Sequence, residues 1–204
     1  MIAIVDYGVG NLFSLKSSFA MLGAEAEVTG EAAKLSAAER IILPGVGAFG
    51  DAADKLRSAG LDRVLITEAK KGKPLLGICL GMLLLFDRSH EFGVHEGLGL
   101  IPGEVVPMAG SIPTELKIPH IGWNALRFTA PDHPLFRYIR PGDMVYFVHS
   151  FYASGCGEHT LATAEYGREL TAAVGWENVL GCQFHPEKSG AVGLNILRAF
   201  CEMR

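Results

Sequence analysis

Residues 73–86 read KPLLGICLGMLLLF, an apolar run with one cysteine near its centre. The run is too short to span a bilayer and is broken by Gly77 and Gly81. It predicts a buried strand over 73–79 that turns sharply at Gly-Ile-Cys-Leu-Gly into a helix begun by MLLLFDRS. A side chain carried on such a turn stands in strained backbone. Bulky neighbours two residues before and after it would clash, which accounts for glycine at 77 and 81. The helix would aim its N-terminus at the Cys79 sulfur and favour the thiolate, the reactive form. The N–H of Leu80 would face an oxyanion formed there. The alternative is an ordinary core cysteine with packing glycines, since free cysteine is commonly buried.

The segments before this turn repeat strand and helix. Short apolar strands are expected at 2–8, 24–28 and 40–47, and helices at 10–23, 31–39, 48–60 and 61–72. Near-continuous apolar strands alternating with helices predict an α/β fold: an open, largely parallel central sheet with helices on both faces. Ligands collect at the carboxyl ends of strands in such sheets. DYGVGN, PGVGAFG and GICLG all fall there. The Gly-x-Gly of DYGVGN lacks a third glycine and reads as a turn. The second half is less regular. Strands are expected at 97–108, 120–128 and 144–153, two more within 172–189, and a closing helix over 190–204 with Val192, Ile196, Leu197 and Phe200 on one face. The 204 residues predict one domain, 1–204.

Composition narrows the function. Apolar residues make up 49% and charged residues 20%, and the net charge is -4 without a basic cluster, which argues against a nucleic-acid partner. MIAIVDYG lacks the basic start of a signal peptide, and no membrane association is expected. The expected location is cytoplasmic. Cys79, Cys156, Cys182 and Cys201 form no C-x-x-C pair and are expected as free thiols. His90 and His95 fit no common zinc spacing, so neither a metal nor another cofactor is expected.

A nucleophilic cysteine needs a base, and the base an orienting group. His185, in GCQFHPEKS, lies at the end of a strand expected over 179–184. Glu187 follows by two, and in an extended segment i and i+2 point the same way, with Pro186 keeping His185 extended. Taken alone, His-Pro-Glu reads equally as a surface turn. The loop after the third strand, with Gly45, Val46 and Gly47, is placed to bring a second N–H to the oxyanion from Gly45 or Val46. His149 and Ser150, in YFVHSF, are further substrate-site candidates. His149 and His120 each also read as a strand-end histidine.

The order P-G-x-G, G-x-C-x-G and H-P-E resembles the class I (triad) glutamine amidotransferases, whose fold is flavodoxin-like. DYGVGNLFS, LPGVGAFGDA, LGICLGM, EGLGLIPGEV, PHIGWN, YFVHSFYA and GCQFHPEKS extend the resemblance, across nearly the whole chain, to the glutaminase subunits of imidazole glycerol phosphate synthase. The resemblance implies that Cys79 attacks the glutamine side-chain amide, that His185 moves the protons, and that Glu187 orients His185. It implies N–H groups of Val46 and Leu80 at the oxyanion. It also implies ammonia transfer to a (β/α)8-barrel cyclase subunit in histidine biosynthesis, with Asn11, Trp123 and Lys188 toward that partner. Two positions depart from the family pattern. Leu83 stands where the family has glutamine, and Phe151 where tyrosine is expected. Leu83 leaves open a weakened, docking-only subunit, and the cysteine elbow alone leaves open a hydrolase of another substrate class.

Overall fold

The computed structural model describes residues 1–203. Its main sheet has eight strands: β1 (Ile2–Val5), β2 (Ala26–Thr29), β3 (Arg40–Leu43), β4 (Leu75–Ile78), β9 (Arg127–Phe128), β12 (Thr160–Glu165), β13 (Glu169–Trp176) and β14 (Val179–Cys182). Their spatial order is β2-β1-β3-β4-β14-β13-β12-β9. The first five in that order run parallel, and β13, β12 and β9 continue antiparallel. The helices are α1 (Leu12–Met21), α2 (Ala32–Ala37), α3 (Phe49–Ser58), α4 (Leu61–Lys70), α5 (Leu80–Leu83) and α6 (Gly190–Glu202).

Both faces of the sheet are covered, as continuous apolar strands require. Ile4, Ile42, Leu76 and Ile78 point to one side, where Leu15 and Phe19 of α1 and Ile196, Leu197 and Phe200 of α6 close over them. Val5, Ile41, Leu43 and Leu75 point to the other, under Leu35 of α2, Phe49 and Leu56 of α3 and Leu65 of α4. The four cysteines are free thiols. No described helix is long and apolar enough to cross a membrane.

The second half departs from its expected outline. The segments at 120–128 and 144–153 each divide between sheets. β8 (His120–Ala125) pairs with β10 (Met144–His149) in a two-stranded ribbon. The chain then changes sheet at Ser150, whose carbonyl accepts from the Met108 N–H at 2.9 Å. β11 (Phe151–Ser154) joins a second, four-stranded sheet with β7 (Glu104–Pro107), β5 (Arg88–Ser89) and β6 (His95–Glu96). The strand β12 was not expected from sequence. Its two threonines favour a strand, but the alanines and glutamate of TLATAE are depleted in strands and leave the run without bulky apolar alternation.

Candidate active site

Cys79 directly follows β4 with φ 54° and ψ -112°, a left-handed conformation rare for a residue with a side chain. Its N–H donates to the Cys182 carbonyl at 2.8 Å, one step beyond the β4–β14 ladder, and its carbonyl accepts from the Leu83 N–H at 3.2 Å. The two glycines are required by contact. A Cβ on Gly81 would stand 1.8 Å from the Leu43 carbonyl oxygen, and one on Gly77 would stand 2.6 Å from the Gly81 oxygen.

The helix behind this elbow is shorter than expected. α5 makes a single turn because the next carbonyls are taken from outside: Leu98 N–H donates to Leu84 O, and Leu100 and Ile101 N–H both donate to Leu85 O. Leu84, Leu85 and Phe86 are all buried, which a helix lying on a sheet could not arrange. The sulfur therefore meets the first N–H groups of one turn rather than the dipole of a long helix.

His185 comes from the other side of the same strand pair. Its N–H donates to Tyr146 O, and its carbonyl accepts from Ser189 Oγ at 2.6 Å. Its Nδ1 lies 2.7 Å from Glu187 Oε1, with both side chains almost completely buried. The pair forms in a different way from the extended i, i+2 arrangement expected. Pro186–Lys188 is a 3-10 turn, opened by the fixed φ of proline, and it folds Glu187 back onto the ring. Nε2 is left buried without an aligned partner. Burial acts to lower the His185 pKa, but an anionic Cys79 sulfur beside it, together with the hydrogen bond to Glu187 and its charge, outweighs burial and raises the value to about 9 once the thiol has lost its proton. The Cys79 sulfur lies 3.9 Å from Val148 O, which accepts from the thiol, and 3.9 Å from Gln183 Nε2.

These groups open on a cavity of about 530 Å³. Of the residues singled out from sequence, Cys79, His185, Val46, Gly47, Leu80, Leu83, His149 and Ser150 line it. Glu187 stands behind His185 and does not. Gly45 is not among the lining residues; it packs so closely on the elbow that a Cβ would stand 2.8 Å from Gly81 N. His149 belongs to the wall. Its Nδ1 bonds Phe151 O at 2.8 Å and its Nε2 faces His120 Nδ1 at 3.0 Å. Burial pushes its pKa down to about 4, so it is neutral and both its nitrogens are engaged. Asn11, Trp123 and Lys188 lie off the cavity. Trp123 packs edge-on to Tyr146, and Lys188 Nζ lies over the Tyr146 ring. Asn11 opens α1.

Sequence reading missed Glu91, Phe92, Pro119 and Val148 in the wall and gave Gln183 no role. Glu91 is the one carboxylate lining the cavity. Its Oε2 accepts from the Phe49 N–H at 2.7 Å, capping α3. A lone acid in HEFGVH carries no periodic signal, and only the fold brings it to the cavity that Cys79 also lines. Phe92 packs edge-on to Phe151, so with Leu83 these residues make an apolar flank. The arrangement holds a cysteine, an imidazole and a carboxylate in one pocket, the equipment of acyl transfer.

Comparison with known proteins fits that chemistry. The chain matches the family Glutamine amidotransferase class-I over residues 3–203. It is 52% identical to the imidazole glycerol phosphate synthase subunit HisH of Lacticaseibacillus casei, covering 100% of this chain and 96% of that protein. It is 46% identical to the HisH subunit of Syntrophotalea carbinolica, with all of both chains covered. Among solved structures, a glutamine amidotransferase crystal structure superposes with TM-score 0.77 at 20% identity, covering 99% of this chain and 98% of that one. The PurLQS structure from Thermotoga maritima gives 0.76 at 21%, covering 98% and 96%. These two likenesses are of fold.

Proposed function

The chain belongs to the class-I glutamine amidotransferases, and on that premise we propose that Cys79, His185 and Glu187 are its catalytic triad. The enzyme hydrolyses glutamine to glutamate and ammonia and passes the ammonia to a partner subunit, for histidine biosynthesis. The observation that carries the residue assignment is the 2.7 Å His185–Glu187 contact in the pocket that also holds Cys79 on its strained turn.

The chemistry follows from the geometry. His185 takes the thiol proton, and the thiolate attacks the side-chain amide carbon of glutamine. The resulting oxyanion receives the N–H groups of Leu80 and Val46. The imidazolium gives its proton to the leaving nitrogen, and ammonia departs as the thioester forms. His185 then removes a proton from water, which attacks the thioester and releases glutamate. Glu187 holds Nδ1 and keeps Nε2 toward the sulfur side. Glu91 Oε1 takes the α-ammonium of the substrate.

The finer assembly is part of the same proposal. One glutaminase domain, 1–204, docks a (β/α)8-barrel cyclase in the cytoplasm. Trp123 and Lys188, joined through Tyr146, and Asn11 at the head of α1 lie toward that partner. The test is glutamate formation by the chain alone and with a cyclase partner and its ribonucleotide ligand. Turnover should rise with the partner and disappear in Cys79→Ala. Activity that survives Cys79→Ala sinks the assignment. The Leu83 substitution favours one second reading, a docking subunit with an unfed triad. That reading holds if Leu83→Gln turns over and the unaltered chain never does.

A further inference from the structure

Gln183 sits one residue beyond β14. The parallel register pairs Gly181 with Gly77 and Cys182 with Ile78, so the next step sets Gln183 beside Cys79. Its side chain is wholly buried and borders the cavity. Nε2 lies 3.9 Å from the Cys79 sulfur. Oε1 is buried and has no hydrogen-bond partner. A primary amide in this position loses its hydration and recovers little of it. Methionine would fill the same space without that cost. The side chain's one polar contact is with the atom that reacts.

From this geometry we infer that Gln183 is a further catalytic residue, whose side-chain N–H donates to the Cys79 sulfur and stabilises the thiolate. The inference rests on Cys79 being the nucleophile. In the resting thiol, S–H points to Val148 O. When the proton passes to His185 Nε2, the electron pair stays on sulfur, and the Val148 carbonyl then faces an anion. Gln183 supplies a donor to that anion. The same contact serves the second half of the reaction. When water has added to the thioester, the C–S bond breaks, its electron pair returns to sulfur, and a thiolate stabilised by a donor leaves faster.

Two variants test this in the full chain. Gln183→Met keeps the length without the N–H, and Gln183→Glu keeps the shape but sets a carboxylate against the sulfur. Iodoacetamide alkylation of Cys79, followed peptide by peptide in mass spectrometry across pH, reads the thiolate directly. The midpoint should rise by about one unit in Gln183→Met and further in Gln183→Glu. With the partner present, kcat should fall roughly tenfold while KM changes little. A midpoint that falls in Gln183→Met means that the amide oxygen, accepting from the thiol, faces the sulfur, and overturns the inference. Unchanged midpoints in both variants make Gln183 packing and overturn it as well. If Gln183→Met loses its near-ultraviolet dichroism, the isosteric Gln183→Glu carries the test. A wild-type Cys79 that alkylates like an ordinary cysteine peptide overturns the nucleophile assignment itself. A reactive wild type with unmoved variants overturns only the role of Gln183.

Discussion

Leu83 is the residue whose change should be easiest to read. It lines the cavity and offers neither donor nor acceptor there. If a substrate polar group is left unpaired against it, the loss is about 1–3 kcal/mol, or roughly tenfold to hundredfold in binding. Leu83→Gln should therefore lower the glutamine KM by that factor and leave kcat nearly constant, measured with the partner bound. An unchanged KM would mean that the apolar flank never meets a polar part of the substrate. His185 gives a second test. Its pKa rises from 6.5 to about 9 on folding, so its charge contributes stability that is complete below about pH 6.5 and is lost as pH passes through about 9. The thermal midpoint of the wild type should fall relative to His185→Gln across that window. Parallel curves would show that the charged imidazole adds nothing to the fold.

At the scale of elements, the elbow was legible in the sequence and the turn carrying the proposed base was legible only in part. Gly77 and Gly81 fill positions where a Cβ would meet backbone, and that constraint is local enough to show as a motif. The His185–Glu187 pair was expected from two-residue alternation, yet a 3-10 turn makes it, because Pro186 opens a turn as readily as it extends its predecessor. The turn is tied down by Ser189, which was not singled out. Its hydroxyl donates to His185 O and accepts from the Tyr146 N–H at 3.0 Å. Ser189→Ala removes both bonds and should cost about 1–3 kcal/mol in denaturant unfolding, with a fall in kcat larger than any change in KM. Loss of stability with kcat intact would separate the tether from the chemistry.

Across the whole molecule, the parallel half could be read from periodicity because its strands are buried on both faces. The other half could not. β5 and β6 are two residues long, below what any pattern resolves, and the change of sheet at Ser150 interrupts a run that reads as one strand. Glu91, Phe92 and Pro119 reach the cavity from loops, so only tertiary structure assembles them. A charge cluster outside the cavity contributes to the stability of the fold in acid. Hydrogen bonds from Lys71 and then Lys73 outweigh burial and lower the Glu68 pKa from 4.5 to about 2, while Lys73 also reaches the carbonyls of Leu35 and Ser36. That contribution is present above about pH 4.5 and is lost as pH falls toward 2. Glu68→Gln should flatten the stability curve over this range, and an unaltered acid limb would place its origin elsewhere.

The adjacency of β4 and β14 has a consequence for a protein still being made. Cys79 stands on one strand, and Gln183 and His185 follow the other, about a hundred residues later along the chain. A nascent chain whose residues 179–187 are still inside the ribosome has its cysteine but lacks the proposed base, the proposed orienting carboxylate and the strand that fixes the elbow. Its thiol is then chemically ordinary and spends no glutamine. The proposed set is complete only when the last strand in the sequence, β14, and the turn after it have been made. Stalled chains that end before residue 179 should alkylate at Cys79 like a simple peptide thiol, and released full-length chains should not.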